Sequence, residues 1–271
     1  MNNWRLGSLT DFYLWDAHAH IQSPWFSEQE INQLLIAASK QSIEGIVNVV
    51  SSPIERDYQE GIEIANKYPI IHTNFGLQPT EATNDNFSNF YVAVSNFKTY
   101  LCAIGEVGLD YYWVKDPTIH ELQKEIFKKC IAVANDTKLP LVVHSRKAED
   151  DCLDILEKEA SVPVLMHGME ANDQQIKRLI DLNYFITIPT SVCIRKKYKK
   201  IAIKTPLEHI LLETDSPFQL PFNPPAGEKV KNIPANINLS AKRIAEVKDL
   251  TLEDVATTTT KNTKTFFNIS L

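Results

Sequence analysis

A closed (β/α)8 TIM barrel, an α/β fold with a parallel eight-stranded sheet and outer helices, is the architecture this sequence predicts, on three observations. Short β-branched runs alternate with longer amphipathic stretches from end to end. The candidate strands number eight, and they are almost continuously apolar, as strands are when helices cover the outer face and a core fills the inner one. The length of 271 residues suits one barrel, since such domains commonly run to about 250 residues. The expected organisation is therefore a single domain over residues 1–271. An open doubly wound sheet is the competitor, weakened because no G-x-G-x-x-G follows the first strand.

Taken in order, the strands are "FYLWDAHA", "GIVNVV", "IIHTNFG", "CAIGEVGL", "PLVVH", "PVLMH", "YFITI" and "ILLETD". After the first, Ser27 and Glu30 form a capping-box pair ahead of "INQLLIAAS". After the fourth, Thr118 and Glu121 form another ahead of "LQKEIFKKCIAVA", where Leu122, Ile126, Cys130 and Val133 make one apolar stripe. Beyond the eighth strand, the proline-rich "PFNPPAGEKVKNIPANI" reads as a long ordered loop. Two helical stretches follow, expected to pack Ile244, Val247, Leu252, Val255 and Phe266 against the outer layer.

Composition narrows the function classes. A hydrophobic fraction of 44% and a charged fraction of 23% are those of a globular chain, and no uninterrupted apolar segment is long enough to span a bilayer. The opening "MNNWRLGSLTDFYLWD" lacks the zones of a secretory signal, so a cytoplasmic location is expected, with no membrane association. Cys102, Cys130, Cys152 and Cys193 are scattered without a C-x-x-C pair, which argues for reduced, mostly buried thiols. The net charge of −6 argues against broad adhesion to nucleic acid and leaves local anion binding open. No obligate protein partner is evident.

The stretch "YLWDAHAHIQSP" places Asp16, His18 and His20 two residues apart, on one face of an extended strand. Two such imidazoles can hold one ion, although the pattern alone fits hydrogen-bonded core histidines as well. In this barrel type, catalytic groups collect at the C-terminal strand ends. There the sequence puts His20, His144, His167 and Asp215, ending strands one, five, six and eight, and Glu106, ending the core of strand four. A random scatter of seven histidines would not be expected to place four at that edge. His72, His120 and His209 fall elsewhere and suit structural roles. Imidazoles and carboxylates suit zinc, manganese or magnesium-like ions, and a carboxylate can bridge two of them. A structural zinc site would normally use cysteine, which is absent here.

The ordered motifs "DAHAH", "GEVGLDYY", "LPLVVHSR", "LMHG" and "LLETDSP", spanning nearly the whole chain, resemble the TatD family of metal-dependent deoxyribonucleases within the amidohydrolase superfamily. The resemblance implies a two-metal hydrolase (Mg, Mn or Zn) that cleaves DNA phosphodiester bonds with an activated hydroxide, as a 3′-5′ exonuclease acting on DNA ends or single-stranded DNA. Carried across, it makes His18, His20, Glu106 and Asp215 ligands of one ion, with Glu106 reaching a second held by His144 and His167. Asp215 resembles the superfamily aspartate that takes a proton from the attacking water, which makes Asp215 and Glu106 the catalytic candidates. A hydrolase of a small amide, lactone or phosphoester is the alternative, because the same chemistry serves many substrates on this barrel. A non-catalytic metal-binding barrel is a third reading.

Two departures bear on substrate. Gln78 in "GLQPTEA" stands where the family often has histidine, and "HGMEA", with Met169 and Glu170, replaces an "HCFSG"-like turn. Among weaker candidates, Arg146 could grip a phosphate through its planar fork or form a rim salt bridge. Tyr112, with Tyr111 and Trp113, could stack on unpaired bases or pack its own loop. Glu213 and Asp16 could orient ligands from behind, or equally be ordinary buried partners of a rim arginine. The run "IRKKYKKIAIK" reads as a solvated helix face, with backbone tracking as the competing role.

Overall fold

The computed structural model describes residues 12–270. Residues 1–11, on which the leader expectation partly rests, lie outside the described residues. Eight parallel strands appear in the order expected: β1 (Leu14–Ala19), β2 (Ile43–Ser51), β3 (Ile71–Gly76), β4 (Leu101–Asp110), β5 (Leu141–Arg146), β6 (Val164–His167), β7 (Phe185–Pro189) and β8 (Ile210–Glu213). Each pairs with the next. Closure between first and last runs through the backbone: Asp215 N–H donates to His18 O at 2.9 Å and His20 N–H to Ser216 O at 2.7 Å. The barrel is thus sewn shut at the segments carrying His18, His20 and Asp215.

Helices α1 (Glu28–Ser39), α2 (Glu55–Lys67), α3 (Asn84–Phe97), α4 (Pro117–Thr137), α5 (Glu149–Glu159), α6 (Asp173–Asp181) and α7 (Lys196–Lys204) cover the outside, followed by α8 (Ile237–Lys248) and α9 (Leu252–Phe266). The Ser27–Glu30 capping box is present. The second expected box is not: Asp116 caps α4, its carboxylate accepting from Thr118 N–H at 2.9 Å, with Pro117 in the first turn. Aspartate two residues earlier reaches the orphan donors first, and proline at the first helical position needs no partner for its nitrogen.

The two strand faces bury different cores. Outward residues such as Ile46, Ile104, Val143 and Ile188 join the helices in the large cluster. Ala17, Val47, Ala103, Val142, Leu165 and Leu211 form a layer inside the barrel, closed by Phe266 and Phe267. Phe266 therefore plugs the interior rather than the outer layer, while Ile244 and Val255 pack outside as expected, with Val247 and Leu252 half-buried against them. The long loop after β8 is ordered by the buried Asn232, whose amide donates to Thr190 Oγ1 and Thr214 O, both at 2.8 Å. Cys102, Cys130, Cys152 and Cys193 are all free thiols, two buried and two half-buried. No helix among the described residues is long and apolar enough to cross a membrane.

Candidate metal centre

Above the inner apolar layer the barrel turns polar. Glu106, 2% exposed, occupies the centre. Its carboxylate lies 3.9 Å from His18 Nε2, 3.7 Å from His20 Nε2, 3.4 Å from His144 Nδ1 and 3.4 Å from His167 Nε2. Asp215 Oδ1 faces the same space, 3.9 Å from His18 Nε2 and 3.6 Å from His20 Nε2. The five residues singled out at the strand ends, together with His18, therefore converge. Among the described residues, two triads have ligand atoms close enough to share an ion: His18, His20 and Asp215, and His18, Glu106 and His167.

The strand positions differ from the simplest expectation. Glu106 lies inside β4, as expected from its place in the candidate strand, whereas His144 lies two residues before the end of β5 rather than at it. Asp215 lies two residues beyond β8, in a left-handed conformation (φ +51°) that redirects the chain as its carboxylate enters the cluster. Close strand approach around Glu106 depends on glycine. A Cβ at Gly76 would sit 2.2 Å from Glu106 O, and one at Gly108, where φ is +147°, would sit 2.0 Å from His144 O.

Three of the four imidazoles are braced from behind. His20 Nδ1 meets Val49 O at 2.9 Å, His144 Nε2 meets Asp110 Oδ2 at 3.0 Å, and His167 Nδ1 meets Glu213 Oε2 at 2.8 Å. Each outer partner fixes one ring nitrogen as a donor and leaves the other aimed at the centre, as in carboxylate–histidine–metal sites. Asp110 was not singled out from the sequence, yet it ends strand four inside "GEVGLDYY", where the strand-end rule would have found it. Glu213 takes the supporting role expected of it. Asp16 does so differently: its carboxylate accepts from Thr214 N–H at 2.8 Å and from the Thr214 hydroxyl, steadying the chain just before Asp215. Gln78 donates to Glu106 Oε1 at 2.5 Å, so the residue replacing histidine steers the central carboxylate.

His18 supplies the test of fit for an ion. It is fully buried, stacks on His167 with ring centroids 3.6 Å apart, and neither ring nitrogen has a hydrogen-bond partner. A buried polar nitrogen left unpaired costs about 1–3 kcal/mol. A cation at Nε2, where the two carboxylates converge, removes that cost. Protonation tells the same story. Burial alone would push His144 and His167 down, but Asp110 and Glu106 raise His144 to about 9, and Glu213, Glu106 and Asp215 raise His167 to about 10. Burial would likewise raise Glu106, and the surrounding imidazoles instead hold it well below the carboxylate range. The cluster attracts positive charge, and these residues fit a divalent ion.

Beside the cluster opens a cavity of about 330 Å³ whose lining includes His144, His167, Asp215, Arg146, Tyr112 and Arg195. Arg146 stacks on Tyr112 at 4.1 Å and on Trp113 at 5.4 Å, and makes no ion pair among the described residues. Tyr111 instead packs its loop, bonding Asp151 at 2.7 Å and stacking on His120. Four of the six cations of the basic run are engaged in ion pairs among the described residues. Arg195 and Lys197 pair with Glu170, and Lys200 and Lys204 with Asp173. Glu170, from the departing loop, thus meets the start of the basic run at the cavity wall, while Met169 is buried.

Comparison with known proteins agrees with this geometry. The family model described as TatD related DNase matches residues 15–268. The uncharacterized metal-dependent hydrolase YabD of Bacillus subtilis is 29% identical over 262 residues, covering 95% of this chain and all of its own. Deoxyribonuclease TATDN3 of Homo sapiens is 30% identical over 264 residues, 93% of each chain. The crystal structure of YjjV, a TatD homologue from Escherichia coli, aligns with a TM-score of 0.83 at 24% identity, covering 95% of this chain and 98% of that one, which shows a shared fold. With the match running nearly end to end along the barrel, the chain belongs to the TatD-related DNase family and is a metal-dependent hydrolase.

Proposed function

We propose that this hydrolase cleaves phosphodiester bonds at the end of a DNA strand, as a 3′-5′ exonuclease, with two divalent ions (Mg, Mn or Zn). The observation that carries the reading is the position of Glu106, one carboxylate facing four imidazoles, which suits it to bridge two ions. His18, His20, Glu106 and Asp215 would hold one, and Glu106, His144 and His167 the other. Such ions lower the proton affinity of water and offset charge developing on a phosphoryl group.

The chain's own groups supply the rest. Asp215 would accept a proton from the attacking water, a role supported by its position beside both His18 and His20 and in the cavity lining. Arg146 would receive a phosphate oxygen, a role supported by its position over the Tyr112 ring in the cavity lining, with no ion pair among the described residues. A DNA substrate is supported by the name of human TATDN3 at 30% identity and by this arginine.

The test is digestion of single-stranded DNA whose 5′ and 3′ ends are blocked in turn, with magnesium, manganese or zinc and a chelator control. Chelator-sensitive digestion that stops when the 3′ end is blocked is expected. No digestion under any metal, alongside hydrolysis of small esters, amides or lactones, would replace this reading with the small-substrate one.

A further inference from the structure

Beside the cluster, two aromatic rings lie outside the cavity lining and outside every role assigned so far. Trp25 follows His20 by five residues, and Phe218 follows Asp215 by three. Their rings meet edge to face, centroids 5.0 Å apart at 77°, and Phe218 in turn meets His20 at 6.1 Å. Both remain open to solvent, 38% and 44% exposed, an unfavourable setting for large apolar rings. Tight turns fix them there. Phe218 N–H donates to Asp215 O at 2.7 Å, Trp25 N–H to Gln22 O at 2.9 Å, and Ser23 N–H to Glu60 Oε1 at 3.0 Å.

We propose that Trp25 and Phe218 form a stacking site for one unpaired base of the substrate strand; the inference rests on the nuclease reading above. Asp215 borders the cavity and leads through a tight turn into Phe218. A strand whose terminal nucleotide occupies the cavity and whose phosphodiester lies at Asp215 carries its next base to the aromatic pair. Stacking suits the chemistry of this flank, because the pair offers π-faces and no charge, and every base has a face to stack whatever its sequence. A paired base, already stacked within a duplex, cannot use it.

The experiment measures binding of metal-loaded protein to a hydrolysis-resistant single-stranded phosphorothioate oligonucleotide by fluorescence anisotropy. Intact strands are compared with strands carrying one abasic site at each position near the 3′ end, which alters a base and leaves the backbone charge. Trp25→Ala should weaken binding of the intact strand roughly ten-fold, and Trp25→Tyr should restore most of it. One abasic position should cost the wild type a similar factor and cost Trp25→Ala nothing further. An abasic penalty of equal size in the wild type, Trp25→Ala and Phe218→Ala at every position would overturn the proposal. Should Phe218→Ala unfold, as thermal melting would show, the exposed Trp25 series decides alone. Failure to bind or cleave any DNA would instead sink the nuclease reading, and the stacking site with it.

Discussion

Loading an ion between His144 and His167 should be coupled to proton release. In the metal-free barrel their neighbouring carboxylates raise these rings, against the effect of burial, to about 9 and about 10, so at pH 7 each carries its extra proton. The nitrogens aimed at Glu106 become ligands only when those protons leave. Occupancy should therefore release about one proton from each of these rings, beyond any that burial keeps on Asp215, and apparent affinity should tighten steeply as pH rises from 6 to 8, levelling off only above pH 10. Burial acts first on His18 and His20 and holds both below the ordinary imidazole range, so these two arrive neutral and add nothing to the count. Isothermal titration calorimetry in two buffers of different ionisation enthalpy gives the number directly. Asp110→Asn should lower it by about one, because Asp110 is the outer partner of His144. Heat that is independent of buffer, with an affinity flat from pH 6 to 8, would refute the reasoning. The same shifts fix a sign for folding: both rings bind protons more tightly folded than unfolded, so metal-free stability should fall as pH rises from about 6.5 through 10, read by thermal melting.

Three further outcomes follow from the geometry. Asp215→Asn should lose most turnover while still binding metal and DNA; full activity in steady-state assays would remove Asp215 as the proton acceptor. Glu213→Gln should weaken metal affinity about 10–100-fold, since the 2.8 Å contact that fixes the His167 ring loses its charge, and metal titration checks it. Gly108→Ala should lower the melting temperature and activity together, because its Cβ would fall 2.0 Å from His144 O at a φ of +147°; a wild-type melting curve would contradict the packing described.

Much of the barrel was legible in the sequence because parallel strands covered on both faces are written as short apolar runs, and all eight appear within one or two residues of the structural bounds. The six central residues were legible for a related reason, that functional groups gather near one rim. What stayed hidden depends on closure. The acids that pair with part of the basic run, Glu170 and Asp173, sit on a neighbouring loop and helix, so local spacing shows cations alone. Trp25 and Phe218 come from opposite ends of the chain and meet only because β1 and β8 join. Asp116 displaced Thr118 as a cap because the sequence offered two acceptable residues and only backbone geometry chooses between them. Phe266 satisfies an outward helical stripe equally well on paper, and the open floor of the barrel claims it.

Anomalous diffraction from crystals grown with manganese or zinc tests the central claim most directly. Two anomalous peaks are predicted with the Glu106 carboxylate between them, one beside His18, His20 and Asp215, the other beside His144 and His167. A peak remote from Glu106, or full loading with Glu106 turned away from every ion, would contradict the account.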